Sequence, residues 1–276
     1  MKRMMVVLLI SALVILLAAG LSLAQELTAD QILDKMDEVS DQVNAGSLIA
    51  KVRFDISHAD GTTTSKVFGT LARPGKSLIC FLAPEDEAGS IFLTVEDEDG
   101  TKRMWIYLPL LGTPKELVSE EERSGSFAGS SLSYEDIGSQ DRRDDYDATL
   151  TGTEELTIGD LTRTAYVLES TAKPDADVDE IRTVMWVDSE YFILLKLEGY
   201  NELDNLDSTM EVRSLTEFED RLTADVIVSQ DLEEGITTTI TFLGRWRPDE
   251  EIPDDVFDPA NLPSFVPSAW GLTVED

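Results

Sequence analysis

The sequence predicts a mainly β protein: an antiparallel sheet of roughly ten strands, few helices, and irregular segments that cover one face. Three observations predict it. Apolar and polar residues alternate with period two in segment after segment between residues 48 and 243. Asp-Gly pairs at 60–61 and 99–100 punctuate the alternation as hairpin turns do. Only one stretch near the start has clear helical periodicity. Either such a sheet closes into a barrel, or helices and loops cover its concave side.

The first 24 residues stand apart. Lys2 and Arg3 precede an uncharged apolar run, and Gly20-Leu21-Ser22-Leu23-Ala24 leads into Gln25. A positive start, an apolar middle and small residues at Ser22 and Ala24 describe a secretory signal peptide, residues 1–24, cleaved after Ala24. Residues 25–276 are then a single exported domain. The same uncharged stretch is about 20 residues long, which also suits an uncleaved membrane anchor. No cysteine lies near the junction to carry a lipid.

The helix comes next. Thr28 is placed to cap it, and Gln31 three residues later completes a capping-box pattern. Ile32, Leu33, Met36, Val39 and Val43 share one face, and Asn44-Ala45-Gly46 ends it. In the first strand Ala50, Val52, Phe54 and Ile56 alternate with Lys51, Arg53 and Asp55. Segments 67–73, 78–82, 91–95 and 104–108 follow with short turns, as in an antiparallel meander. Residues 109–140 are rich in Gly, Ser and Pro with scattered apolar residues, which suits a lid or binding loop. Strand patterns resume at 147–152, 162–170, 181–187, 192–200, 210–218, 222–229 and 237–243. The Pro- and Asp-rich tail, 248–267, reads as coil with a short helical turn.

Composition narrows the chemistry. Asp and Glu number 55 against 22 Lys and Arg, a net charge of −33. That field repels nucleic acid and anionic headgroups. Cys80, the sole cysteine, lies in an apolar run and reads as a buried small hydrophobe. His58, the sole histidine, lies beside a turn, so neither a histidine-based triad nor a zinc site is expected. The acidic clusters at 96–100 and 175–179 lack calcium-loop spacing. No phosphate-binding or dinucleotide fingerprint occurs. The expectation is a non-enzyme with no cofactor and no metal. What remains is apolar: in 104–108 every residue is apolar or aromatic, so both faces of that strand need cover.

Five segments in order carry a resemblance: LICFLAPEDEAGSIF at 78–92, WIYLPLL at 105–111, SFAGSSLSYEDI at 126–137, MWVDSE at 185–190 and IPDDVFDPANL at 252–262. Together they are similar to the outer membrane lipoprotein-sorting proteins of the LolA-like superfamily, over most of the chain after residue 24. Relatives usually carry an acid where Ser131 stands. The resemblance implies an unclosed antiparallel β-barrel, its mouth plugged by helices, whose apolar interior accepts acyl chains in the periplasm. The implied function is a carrier of lipoprotein acyl chains or lipids; the alternative is an envelope sensor acting through a protein partner. The partners so implied are an inner-membrane transporter or an outer-membrane acceptor. Val52, Phe54, Ile56, Phe81, Phe92, Met104, Ile106, Leu108, Phe127 and Leu132 are the expected cavity and lid residues. Segment 112–138 and the helix over 30–43 are expected to form a movable cover. On that expectation Phe127→Asp weakens lipid uptake and leaves the sheet folded. Family carriers latch the lid with an arginine, for which Arg53 and Arg73 are the candidates here.

Overall fold

In the computed structural model, which describes residues 27–138, 143–176 and 178–274, both arms of the predicted capping box are made. The Gln31 N–H donates to Thr28 Oγ1 at 3.3 Å and the Thr28 N–H donates to Gln31 Oε1 at 3.0 Å. Helix α1 spans Ala29–Asn44 and ends at Gly46, where φ is +78°. The expected signal peptide lies outside the described residues.

The strands are β1 (Leu48–Ser57), β2 (Thr63–Arg73), β3 (Lys76–Ala83), β4 (Ile91–Glu96), β5 (Lys102–Tyr107), β6 (Lys115–Glu116), β7 (Tyr146–Ile158), β8 (Leu161–Ala172), β9 (Arg182–Asp188), β10 (Leu194–Tyr200), β11 (Leu206–Phe218), β12 (Arg221–Asp231) and β13 (Ile236–Trp246). They form one sheet in the order β6-β5-β4-β3-β2-β1-β13-β12-β11-β10-β9-β8-β7, antiparallel throughout. Two meanders are thus joined where β1 meets β13. β6 and β7 stand at opposite edges, so the barrel is unclosed, as the resemblance implied.

Asp60 and Asp99 build their turns by accepting N–H bonds from Thr62 and Thr101, and Gly61 and Gly100 take φ of +84° and +85°. Three features depart from expectation. The second half of β7 carries Glu154 and Glu155 exposed at a sheet edge, so it shows no apolar alternation to read. β10 starts at Leu194 because Phe192 has φ +52° and belongs to the turn. Residues 109–138 contain β6 and two short helices, α2 (Glu120–Arg123) and α3 (Tyr134–Gly138). Short 3-10 turns at Asp254–Phe257, Pro259–Ser264 and Pro267–Trp270 complete the chain.

Both faces of β3, β4 and β5 carry buried side chains, as the all-apolar stretch 104–108 demanded. One face of the sheet carries Ile49, Leu71, Leu78, Cys80, Leu93 and Trp105, and the C-terminal segment closes it with Ile252, Phe257, Leu262 and Leu272. Leu272 reaches the sheet only because residue 69 is glycine: a Cβ there would lie 2.5 Å from Leu272 Cδ1. The other face, called inner below, holds the candidate site.

Candidate functional site

Paired strand residues point to the same side, so register traces the inner face across the sheet. Ile106 pairs with Phe92, Phe92 with Ile79, Phe81 with Phe68, and Phe68 with Val52. Phe54 pairs with Ile240, Ile240 with Ile227, and Ile227 with Val212. Two residues along, Met210 pairs with Leu197, Leu197 with Met185, Met185 with Leu168, and Leu168 with Leu150. One apolar face therefore runs from β5 to β7.

Each end of that face has its own cover. At the β7–β9 end, Ala29 and Ile32 of α1 pack with Leu168 and Val187, and Leu33 and Met36 lie against them. At the β1–β5 end the cover is the segment between β6 and β7. Its Leu117 and Phe127 are buried in one cluster with Val52, Phe54, Ile56, Phe68, Phe81, Phe92 and Met104. Ile106 and Leu132 are half-buried against that cluster. Leu108, one residue past β5, stands outside it and leads into a turn whose Leu110 is 96% exposed. Nine of the ten expected site residues thus meet in one place; the chain leaves the sheet too early for Leu108 to join them.

Phe127 does more than roof the hollow. Its ring fills it, with centroids 6.2 Å from Phe54, 5.6 Å from Phe68, 5.7 Å from Phe81 and Phe92, and 5.5 Å from Tyr134. A small hairpin presents it: Ser126 bridges Ser133, and the Phe127 N–H donates to Leu132 O at 2.7 Å. The next two residues, Ala128 and Gly129, have φ of +58° and +75°. Positive φ is a strained state for Ala128 and a free one for glycine. Gly138 packs so closely on β4 and β5 that a Cβ would lie 2.8 Å from Met104 Cε.

Between the two covers the face is less protected. Leu197 and Met210 are half-buried and belong to neither cluster, and Ile227 is half-buried at the edge of one. Sequence reasoning passed over these three. Their strands were legible, but which face turned inward was not.

Arginines fasten the helix. Arg247 Nη2 donates to Val43 O at 2.7 Å, and Nη1 donates to Ala45 O at 3.1 Å and Ser47 O at 3.2 Å. Cations suit a helix C-terminus, where carbonyls lack partners. Arg143 holds the other half through Asp34 at 2.8 Å and Asp37 at 3.0 Å. The two expected latches lie elsewhere. Arg53 pairs with Asp55 at 2.9 Å, and Arg73 donates to Ile252 O at 2.7 Å in the C-terminal segment. Both occupy odd positions of strands whose even positions face inward, so the pleat turns them away.

No group of three or more His, Cys, Asp or Glu among the described residues is arranged to hold a metal ion, and no described helix is long and apolar enough to cross a membrane. Burial pushes the Cys80 thiol up to about 12.

A family model described as "Uncharacterized protein" matches residues 74–264. No curated protein matches the chain. Solved structures do. A DUF1329 family protein from Desulfovibrio piger superposes with TM-score 0.72 at 24% identity, covering 84% of this chain and 97% of that one. An outer membrane lipoprotein-sorting protein domain from Vibrio parahaemolyticus gives 0.69 at 23%, covering 84% and 97%. A LolA superfamily protein from Nitrosomonas europaea gives 0.63 at 22%, covering 84% and 98%.

Proposed function

Since this chain belongs to the protein family whose model spans residues 74–264 and has the fold of the LolA superfamily, we propose that it is an exported, non-enzymatic binding protein that holds acyl chains on the inner face of its sheet. The single observation that carries this reading is the apolar inner face itself. It is continuous from β5 to β7, covered at both ends, and half-buried between the covers at Leu197 and Met210. The fold neighbours described as lipoprotein-sorting and LolA superfamily proteins support lipoprotein acyl chains or lipids as the cargo and the periplasm as the place.

Energetics decide the form of the binding. Burying a fifteen-methylene chain is worth about 12 kcal/mol at ~0.8 kcal/mol per methylene. Three chains held that way would exceed the practical ceiling of affinity and never be released. Here a chain entering the hollow displaces Phe127, whose burial is itself worth about 1.5–3 kcal/mol, and loosens the covers. That offset keeps affinity in a range from which cargo can be handed on, which suits a carrier delivering from an inner-membrane transporter to an outer-membrane acceptor.

Native mass spectrometry of the protein purified from its own envelope tests this. The expected result is co-purifying acyl-bearing mass, lost on organic extraction. A protein free of such mass that also fails to bind an added palmitoyl probe overturns the reading.

A further inference from the structure

Arg245 is a cation on the inner face, as is Lys66, which pairs across the strands with Phe54 and is held by Glu87 at 2.7 Å. Arg245 pairs across the strands with Ala50, a member of the inner apolar cluster, and its guanidinium carbon sits 3.6 Å from the centroid of the Phe242 ring. Arg53, Arg73, Arg103, Arg163, Arg182 and Arg247 all hold carboxylates in this acidic chain. Arg245 has no such ion pair within 4.0 Å among the described residues. It donates to Ala224 O at 2.5 Å and Thr223 Oγ1 at 3.4 Å, and Asp225 is the acid whose field reaches it. Burial pulls the guanidinium down to about 10, against the upward effect of Asp225. A guanidinium has five N–H donors in a planar fork that matches an oxyanion. Two contacts therefore leave capacity on a cation that is already partly desolvated.

A second arginine close by in sequence, itself paired with Glu219 at 3.0 Å, faces the helix. Arg247, two residues on, grips the C-terminal carbonyls of α1, and Arg221 donates to Gln42 Oε1 at 2.7 Å on the same helix. The negative end of the helix is thereby neutralised beside Arg245, not turned against an incoming anion.

We propose that Arg245 receives the anionic head group, a carboxylate or phosphate oxyanion, of an acyl-chain ligand lying on the inner face. This rests on the acyl-chain reading above and adds what the ligand carries at its polar end. The chain's net charge of −33 opposes free anions at long range. An acyl tail buried along Val52 and Phe242 supplies the attraction that brings the oxyanion to the fork.

The test titrates the full chain with dodecanoate and with methyl dodecanoate at pH 8, with inorganic phosphate as competitor. The wild type should bind the anion roughly tenfold or more tightly than the ester, the range of a charge-assisted hydrogen-bond pair. Arg245→Gln should erase that preference and leave ester affinity unchanged, and Arg245→Lys should keep part of it. Millimolar phosphate should not compete. Equal binding of both ligands by the wild type, or a preference that survives in Arg245→Gln, overturns the assignment while leaving the acyl reading intact. Competition by phosphate overturns it in favour of a free-anion site. Failure of both ligands to bind sinks the acyl reading and this inference with it. Should Arg245→Gln fail to fold, the wild-type comparison and Arg245→Lys still decide.

Discussion

Ser131 is tied to Thr238. Its backbone N–H donates to Thr238 Oγ1 at 2.9 Å, and the two hydroxyls lie 3.0 Å apart. Thr238 is fully buried on β13, so this contact pins the hairpin that carries Phe127 to the floor of the inner face. A threonine hydroxyl both donates and accepts. Thr238→Val should therefore cost about 1–3 kcal/mol, the penalty for a donor left without its partner. Amide exchange at Ser131 and Leu132 should quicken. Ser131→Asp should cost much less, because the Thr238 hydroxyl can turn and donate to the carboxylate. Equal destabilisation by both changes, read from urea unfolding, would refute the account.

Phe127 is 1% exposed among five rings. Phe127→Ala should destabilise by about 3–5 kcal/mol if the hollow stays open, and less if the hairpin collapses into it. Where the hollow stays open, a fluorescent acyl probe should bind more tightly, since nothing must be displaced. Phe127→Asp should loosen the hairpin and weaken probe binding by placing a carboxylate in the apolar hollow, with the sheet still folded. Unchanged probe affinity in Phe127→Ala would show that cargo does not use this space.

Gly69 and Leu272 form a lock between sheet and tail. Gly69→Ala should push Leu272 out and cost about 1–3 kcal/mol by overpacking. Leu272→Ala should cost about 2–5 kcal/mol through the cavity it leaves. The two should not add, because the double variant has already lost the clash. Additive losses in thermal unfolding would place the two effects in different contacts.

Asp188 sets an acid limit. Burial drives its carboxyl up, but Arg163, 2.7 and 2.9 Å away, and the N–H groups of Tyr191 and Glu190 outweigh burial and hold it below the usual carboxylate value. A carboxyl lowered in the folded state contributes stability above its unfolded value near pH 3.9 and loses it as pH falls through the folded one. Asp188→Asn should cost about 1–3 kcal/mol at pH 7 by weakening the hold on Arg163, which keeps Glu190 at 3.0 Å. The gap to the wild type should narrow steadily below pH 4. A gap independent of pH, from urea midpoints, would assign the loss to packing alone.

Cys80 is buried and its thiol is pushed up to about 12, so the reactive thiolate is scarce. The native protein should resist Ellman's reagent at pH 8 and the urea-unfolded chain should react at once. Rapid reaction of the native chain would mean that the C-terminal segment opens over β3.

Local features were readable from neighbours in sequence. The capping box at Thr28 and Gln31, the turns at Asp60 and Asp99, and the pleat that sets Val52, Phe54 and Ile56 apart from Arg53 and Asp55 all need only nearby residues. Nine of ten expected interior residues followed from that pleat together with the resemblance. Leu108 lies outside that cluster, because alternation cannot show where a strand leaves its sheet. Arg247, Arg245 and Thr238 were missed because each gains its meaning from a distant partner: the end of α1, Ala50 on β1, and Ser131.

By itself the sequence determined which residues share a face and where the chain turns, since period-two side-chain geometry and turn chemistry act over a few bonds. Only the tertiary structure decided which face is the inside. The pairing of β1 with β13, which joins Ile49 to Trp246 across most of the chain, brings the two meanders into one sheet. That long-range closure puts Arg245 inside and Arg53 outside, and lets Phe127 occupy the space proposed for cargo.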